Sequence, residues 1–165
     1  MSALTMDSDI AVVVQSAIEK HGKKRDALIP ILSEINHAFG YVPGDAFREV
    51  RKQLQDPAER MYVSESQLYG LASFYDMLST KPRGRHVIKF CENAPCHVAG
   101  GKSVWDSVQE TLHLGNGETT PDFKWTLVTT SCLGLCSVGP VLLVDDDIYG
   151  NVTPEQIPAI LNKYE

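Results

Sequence analysis

The 165-residue chain has no long hydrophobic run, and this absence excludes a protein that spans a membrane with helices. No apolar stretch approaches the roughly 20 residues that such a helix needs. Residues 1–9 also lack the basic and apolar regions of a signal peptide. The sequence therefore predicts a globular, water-soluble, cytoplasmic protein without direct membrane insertion, one that could still lie at the periphery of a membrane complex.

An excess of positive charge is also missing. Residues 1–85 hold 11 Lys and Arg against 11 Asp and Glu, whereas residues 86–165 hold 4 against 10, so the whole net charge of -6 lies in the second half. An acidic surface repels phosphate groups, and this argues against nucleic acid or an anionic membrane as a partner.

Nucleotide-binding motifs are absent as well. The chain contains no G-x-G-x-x-G fingerprint, and the segment Gly101-Lys102-Ser103 does not complete a phosphate-binding loop because Cys96 stands where the first glycine should be. No Ser-His-Asp set or carboxylate pair can be defended either. Binding of NAD(H) or a flavin through a Rossmann-type fingerprint within this chain is therefore unsupported.

The first half is rich in apolar residues spaced three and four apart, which is typical of amphipathic helices. Capping and stop residues delimit four predicted helices: Asp7, Ser8 or Asp9 to Gly22, Asp26 or Ala27 to Gly40, Pro43 to Leu54, and Ser64 to Tyr75. This pattern predicts an N-terminal helical domain over residues 1–80, with the segment 81–85 as the boundary.

The second half changes to short strands and helices. Strands are predicted at residues 86–90, 125–130, 141–144 and 148–149, and helices around residues 104–112 and after the capping residue Thr153. Residues 81–165 are thus predicted to form a compact α/β domain. The whole chain is predicted to be of mixed α/β (α+β) class.

Only four cysteines are present, and all of them lie in the second half, in the pattern C-x4-C-x35-C-x3-C. The pairs Cys91 and Cys96, and Cys132 and Cys136, each follow a predicted strand. If these two strands run parallel, both pairs lie at the same end of a sheet, where four thiolates could converge. In a reducing cytoplasm such cysteines are more often ligands or catalysts than structural disulfides.

Four interpretations fit this spacing: a 2Fe-2S cluster, a structural zinc ion, a redox disulfide and core cysteines unrelated to one another. The lack of C-x2-C counts against thioredoxin-type exchange, and Ala99 occupies the place of the third cysteine of a plant-type ferredoxin. Glycines in the cysteine loops allow the backbone to approach sulfur closely, namely Gly100, Gly101, Gly134 and Gly139. An anionic cluster in an acidic domain would have a low reduction potential.

The segments that carry the cysteines, residues 90–100 and 131–140, resemble those of the 24-kDa subunit family of respiratory complex I. The family also supplies small subunits of soluble NAD-linked hydrogenases, including electron-bifurcating ones, and of formate dehydrogenases. The resemblance extends to residues 39–43, 72–75 and 149–155. It implies an N-terminal helical bundle followed by a thioredoxin-like 2Fe-2S ferredoxin domain.

By this resemblance the cluster ligands are Cys91, Cys96, Cys132 and Cys136. Because four cysteines are available, His97 is expected to lie near the site or to be structural and not to be a ligand. Ala99 and Leu135 depart from the family's usual basic and small residues without touching the ligand set. The implied function is electron transfer beside a larger flavoprotein that carries FMN, NAD(H) and further clusters, together with other redox subunits. No catalysis is expected from the isolated chain. The alternatives are a free-standing thioredoxin-like ferredoxin and a zinc-stabilised interaction module.

Overall fold

The computed structural model describes residues 3–55 and 62–164 and divides the chain into two compact units, residues 1–82 and 83–165. The described part of the first unit is built from helices. These are α1 (Ala3–His21), a 3-10 turn (Arg25–Ala27), α2 (Leu28–Phe39), α3 (Gly44–Leu54) and α4 (Glu65–Phe74). Among the described residues, no helix is long and apolar enough to cross a membrane.

Most of the predicted helix ends are confirmed. Gly22 and Gly40 have positive φ angles of 88° and 77°, the left-handed conformation that ends a helix and favours glycine. The Ser64 hydroxyl accepts from the Gln67 N–H at 3.1 Å, while the Ser64 N–H donates to the Gln67 side chain at 3.0 Å, which completes the capping box.

The predicted start of the first helix is wrong. Because α1 begins at Ala3, the residues Asp7, Ser8 and Asp9 lie inside the helix and do not cap it. The preceding residues include alanine, leucine and methionine, which favour helix strongly enough to extend it past the three polar residues.

The core of the first unit consists of the apolar stripes that define its helices. Fully buried side chains come from all four helices: Val14, Ile31, Leu32, Ile35, Val50, Leu54 and Leu68. The same stripes that predict helical periodicity therefore form the contacts that stabilise this unit.

The second unit contains a sheet with helical segments between its strands. Its elements are β1 (His86–Cys91), the short turn α5 (Ala94–Cys96), a π turn (His97–Gly101), α6 (Lys102–Leu112), β2 (Glu118–Thr119), β3 (Trp125–Thr130), a 3-10 turn (Cys136–Val138), β4 (Leu142–Val144), β5 (Asp147–Tyr149), a 3-10 turn (Pro154–Gln156) and α7 (Ile157–Leu161). The mixed fold class is confirmed. The strand β2 was not predicted, because two residues carry no alternating pattern.

The strands are arranged in the order β2-β3-β1-β4-β5. The central strands β1 and β3 run parallel, in a register that pairs Ile88 with Leu127 and Cys91 with Thr130. The other neighbouring strands are antiparallel. A parallel pair needs a long crossover connection, and α6 lies within that connection.

One face of the sheet packs on the helices of the second unit. Ile88 and Phe90 alternate along β1 and share a buried core with Val104 and Val108 of α6 and with Ile157 of α7. This packing fixes β1, and β1 ends at the first cysteine.

Candidate metal centre

The parallel pairing of β1 and β3 brings both cysteine pairs to one end of the sheet. Cys91 is the last residue of β1 and lies opposite Thr130, the last residue of β3. Cys132 follows two residues later. The condition on which the predicted convergence depended, parallel strands, is therefore met.

The first pair of cysteines is buried. Cys91 is 2% exposed and its N–H donates to the Val141 carbonyl at 3.3 Å. Cys96 is 1% exposed and is the last residue of the short turn α5, which begins at Ala94 and has Pro95 at its second position. The His97 N–H donates to the Asn93 carbonyl at 3.0 Å and extends this turn. Both thiols are thus held by regular backbone and shielded from water.

The second pair is exposed and lies close together. The sulfur atoms of Cys132 and Cys136 are 3.6 Å apart. Two thiolates bound at about 2.3 Å to one tetrahedral metal lie at nearly this separation. The Gly134 N–H donates to the Cys132 Sγ at 3.4 Å, and its φ of 78° is the backbone conformation that turns the N–H inward.

Two further glycines make room for the backbone around Cys96. A Cβ at Gly101 would lie 2.6 Å from the Cys96 carbonyl oxygen, and one at Gly139 would lie 3.3 Å from the Cys96 Sγ. The predicted close approach of the backbone to sulfur is found at Gly134 and Gly139. At Gly101 the close neighbour is the Cys96 carbonyl oxygen instead of a sulfur, and a Cβ at Gly100 would meet nothing within 4 Å.

The surroundings raise the pKa of some of the thiols and lower that of another. Burial raises the pKa of Cys96, and a hydrogen bond with Cys91 adds to this. The Gly134 N–H lowers the pKa of Cys132. Its neighbour Cys136 has a raised pKa because it hydrogen-bonds to Cys132. Cys91 interacts with both Cys96 and Cys132, so it connects the buried and the exposed pair.

Apolar side chains surround the buried cysteine pair. Cys91 and Cys96 pack with Val141, which is 1% exposed, and four more side chains lie around this cluster: Leu133, Leu135, Val138 and Leu143. Such a shell limits water access and lowers the local dielectric constant, which strengthens the effect of each N–H dipole on sulfur.

The placement of the cysteines in two pairs matches the donor set of a 2Fe-2S cluster. Such a cluster takes one pair of thiolates for each iron, and both pairs follow strands that end at the same side of the sheet.

The histidines and the aspartate turn, which the sequence offered as other possible ligands, lie outside the cysteine site or stabilise the fold. His97 is exposed and belongs to the π turn. Asp145 accepts from the Val87 N–H at 2.8 Å and contacts the His86 Nδ1 at 2.7 Å, so it fixes the β4–β5 turn, as a polar turn predicts. His21 contacts Glu34 at 3.1 Å.

The sequence did not predict two backbone hydrogen bonds that stabilise the loop after the second cysteine pair. The Asn151 N–H donates to the Val138 carbonyl at 2.6 Å, and the Val152 N–H donates to the Pro140 carbonyl at 3.2 Å. These bonds tie the segment after β5 to the loop that follows Cys136. The only signal in the sequence is that residues 149–155 share in the family resemblance.

The sequence analysis also did not predict the hydrogen bonds that Tyr164 makes with β5. The Tyr164 hydroxyl donates to the Asp147 carboxylate at 2.6 Å and lies 2.8 Å from the Tyr149 hydroxyl. Both partners belong to β5. The contact closes a loop between residues that no local pattern connects.

Relatives with similar sequences cover most of the chain. Residues 14–165 match the family model of the thioredoxin-like 2Fe-2S ferredoxin. The chain is 35% identical over 149 residues to a subunit of the NADH-quinone oxidoreductase of Salmonella typhimurium, covering 89% of this chain and 86% of that one. It is 32% identical over 152 residues to the corresponding subunit of Escherichia coli K12, covering 92% and 87%.

A solved structure shares the fold. The NAD+-reducing NiFe-hydrogenase in its air-oxidised state superposes with a TM-score of 0.66 at 20% identity, over 81% of this chain. The chain spans 22% of the length of that hydrogenase chain.

Proposed function

The chain belongs to the thioredoxin-like 2Fe-2S ferredoxin family, and from this membership we propose that it is the electron-transfer subunit of a multi-subunit NAD(H)-dependent oxidoreductase. The observation that carries the proposal is the position of both cysteine pairs at the same end of the parallel strands β1 and β3, with the Cys132 and Cys136 sulfur atoms 3.6 Å apart. The two relatives above, both named as subunits of an NADH-quinone oxidoreductase, support the same assignment.

The residues that would hold the cluster are Cys91 and Cys96 on one side and Cys132 and Cys136 on the other. When bound, a 2Fe-2S cluster accepts and donates one electron at a time and makes or breaks no substrate bond. The chain contributes one buried and one exposed pair of thiols, an N–H from Gly134 that donates to the Cys132 sulfur, and apolar side chains around the buried pair.

Charge around the site favours a low reduction potential. A cluster with four thiolates, two sulfides and two ferric ions carries a formal charge of about -2. Residues 86–165 already carry a net charge of -6, so their field disfavours an additional electron. This acidic unit is thus suited to receive electrons only from a strong reductant such as a reduced flavin.

We place FMN and NAD(H) on a partner subunit, a larger iron-sulfur flavoprotein. The chain lacks a Rossmann fingerprint, and its candidate site consists of thiols. A cluster that carries single electrons complements a flavin, because hydride leaves NADH as a two-electron unit. Within such a complex the chain would be cytoplasmic and peripheral.

We assign the docking surface to the helical unit. Three large apolar side chains on and just after α4 are strongly exposed: Tyr69 at 54%, Phe74 at 77% and Met77 at 59%. Exposed aromatic and methionine side chains are enriched at the centres of protein interfaces. The neutral charge of residues 1–85 also favours contact with a partner over long-range electrostatic attraction.

The central experiment is an anaerobic preparation analysed for iron, acid-labile sulfide and visible absorption, followed by EPR of the reduced protein. We expect two irons and two sulfides per chain, about the stoichiometry of one cluster, and an EPR signal that appears on reduction. A colourless protein, or one that holds zinc without iron, would contradict the proposal and favour the zinc-stabilised module.

The partner is tested by co-purification. The substitution Phe74→Asp should lower recovery of the FMN-containing subunit about tenfold or more, because a carboxylate would be buried in an apolar contact. Val12→Asp is the control, since Val12 is 67% exposed on α1 outside this surface. Full recovery with the Phe74 variant would exclude this docking surface, and an intact chain that never binds a flavoprotein would favour a free-standing ferredoxin.

A further inference from the structure

The two cysteine pairs differ sharply in their access to solvent. Cys91 and Cys96 are 2% and 1% exposed, whereas Cys132 and Cys136 are both exposed. If the cluster is lost, only the second pair is open to a dissolved oxidant. The two pairs should therefore have different chemistry in the cluster-free protein.

The exposed pair is also close to disulfide geometry. Its sulfur atoms are 3.6 Å apart, and a disulfide requires about 2.05 Å, so the two atoms must approach by roughly 1.5 Å. Residues 131–135 contain no helix or strand, and Gly134 in this stretch has a φ of 78°. A small change of backbone angles in an irregular loop can supply this movement.

The buried pair has no such freedom. Cys91 ends a central strand, where it pairs with Thr130 of β3 and donates its N–H to Val141, the residue before β4. Cys96 is enclosed by Gly101 and Gly139, where even a methyl group would lie 2.6 Å from its carbonyl oxygen or 3.3 Å from its sulfur. A molecule as large as a tripeptide disulfide cannot reach either sulfur in the folded chain.

We propose that Cys132 and Cys136 form an intraloop disulfide when the cluster is absent and a low-molecular-weight disulfide is present, while Cys91 and Cys96 remain thiols. The disulfide blocks insertion of a cluster until a dithiol reduces it. The blocking step rests on the proposed function, since it requires that these four cysteines are the ligands. The formation of the disulfide does not.

The chemistry balances with glutathione disulfide as the oxidant. The thiolate of one cysteine attacks a sulfur of the oxidant, forms a mixed disulfide and releases one glutathione thiolate. The second cysteine then attacks the mixed disulfide at the protein sulfur and releases the second glutathione. Two protein thiols are oxidised, the oxidant is reduced to two thiols, and both protons pass to the released thiolates.

The sequence allows a direct mass-spectrometric test on the full chain. Cleavage after Lys and Arg places Cys91 and Cys96 on the peptide 90–102, and Cys132 and Cys136 on the peptide 125–163. The chain is stripped of iron under reducing conditions, incubated with glutathione disulfide, then denatured, alkylated and digested. Each pair is thus read on its own peptide, and any bond between the pairs appears as a cross-linked species.

We expect peptide 125–163 to lose about 2 Da, the mass of two hydrogens, while peptide 90–102 carries two alkyl groups. Cluster reconstitution should fail on this oxidised chain and recover after dithiothreitol. Oxidation within peptide 90–102, a cross-linked species, or a glutathione adduct that persists on Cys132 would overturn the proposal.

Two matched variants complete the test. Cys136→Ser should hold a stable glutathione adduct on Cys132, because the second attack is no longer possible. Cys96→Ser should form the 132–136 disulfide as the unsubstituted chain does. If both variants gave the same product, the assignment of the disulfide to Cys132 and Cys136 would be wrong. Iron analysis of the freshly prepared protein tests the proposed function separately, because the mass measurement needs no bound cluster.

Discussion

The two units of the chain acquire their structure in different ways. Residues 1–85, which contain the helical unit, have no net charge, and the helices of this unit follow from apolar residues three and four apart. The second unit is acidic, and its candidate site depends on partners far apart in sequence, such as Cys91 and Thr130. The helical unit's structure therefore follows mainly from local pattern, whereas the cysteine site requires the assembled sheet.

The largest expected effect is the loss of the cluster in Cys96→Ser. A serine oxygen is a poor substitute for a thiolate in a site built for sulfur, so iron and sulfide content should fall to near zero. The measurement is metal and sulfide analysis with visible absorption. Ser137→Ala, an exposed neighbour of Cys136, is the control and should keep full iron content. Unchanged iron in the Cys96 variant would remove this cysteine from the ligand set.

A pair of core truncations compares the units directly. Ile35 and Ile88 are both fully buried, one in each core. Replacing either with alanine should lower the free energy of unfolding of its own unit by about 2–5 kcal/mol, measured by chemical denaturation.

The two truncations should differ in their effect on iron. Ile88→Ala loosens β1, which carries Cys91, and should increase the rate of iron release to a chelator. Ile35→Ala should leave that rate unchanged under conditions where the chain stays folded. Faster iron release in the Ile35 variant would show that the core of the helical unit also contributes to iron binding. The statement that only the second unit determines the site would then be wrong.

A smaller contrast is expected between two glycine substitutions. Gly101→Ala forces a methyl group against the Cys96 carbonyl and the Phe90 ring, and should destabilise the second unit by about 1–3 kcal/mol. At Gly70, inside α4, a Cβ meets nothing within 4 Å. There alanine should stabilise the helix by about 0.5–1 kcal/mol. Thermal unfolding measures both changes, and a destabilising Gly70→Ala would contradict this account of α4.

The smallest effect concerns acid titration of exposed carboxylates. A hydrogen bond from Lys20, then one from His21, lowers the pKa of Glu34 in the folded chain. A carboxylate with a lowered folded pKa contributes stability above its unfolded pKa, and this contribution disappears as the pH falls through the folded value. Glu34→Gln should therefore flatten the acid side of the stability profile slightly.

The second unit offers a matched carboxylate. The Thr120 hydroxyl and then the Lys124 N–H lower the pKa of Asp122. Because the pKa of Asp122 is lowered like that of Glu34, its contribution to stability is also lost as the pH falls. Asp122→Asn should therefore also reduce the loss of stability in acid. NMR titration of the two carboxyl groups would check both directions, and a raised pKa at either would contradict the prediction.

Much of the fold was predictable from sequence because its signals are local. The stripe around Ile31 and Ile35, the stop at Gly40 and the capping box at Ser64 each depend on residues within one or two turns. The family resemblance is also confirmed, since residues 14–165 match the family model. It was visible in the sequence because each cysteine pair lies in one continuous segment.

What the sequence did not predict depends on distant contacts or on competing local preferences. The start of α1 was misplaced because helix-forming residues outweigh the polar signal at residues 7–9. The strand β2 is defined only by its pairing with β3. The hydroxyl contacts of Tyr164 with β5 join residues 15 or more apart. The difference in exposure between the cysteine pairs likewise appears only in the folded sheet.

The parallel register of β1 and β3 has a consequence for the order of assembly. The strands are separated by residues 92–124, so their pairing must close a long loop before any hydrogen bond between them forms. Contacts of such high sequence separation slow folding, whereas local helical contacts form early. The site formed by the two cysteine pairs is therefore completed later than the local helical contacts, and uptake of iron there would report that β1 and β3 are already paired.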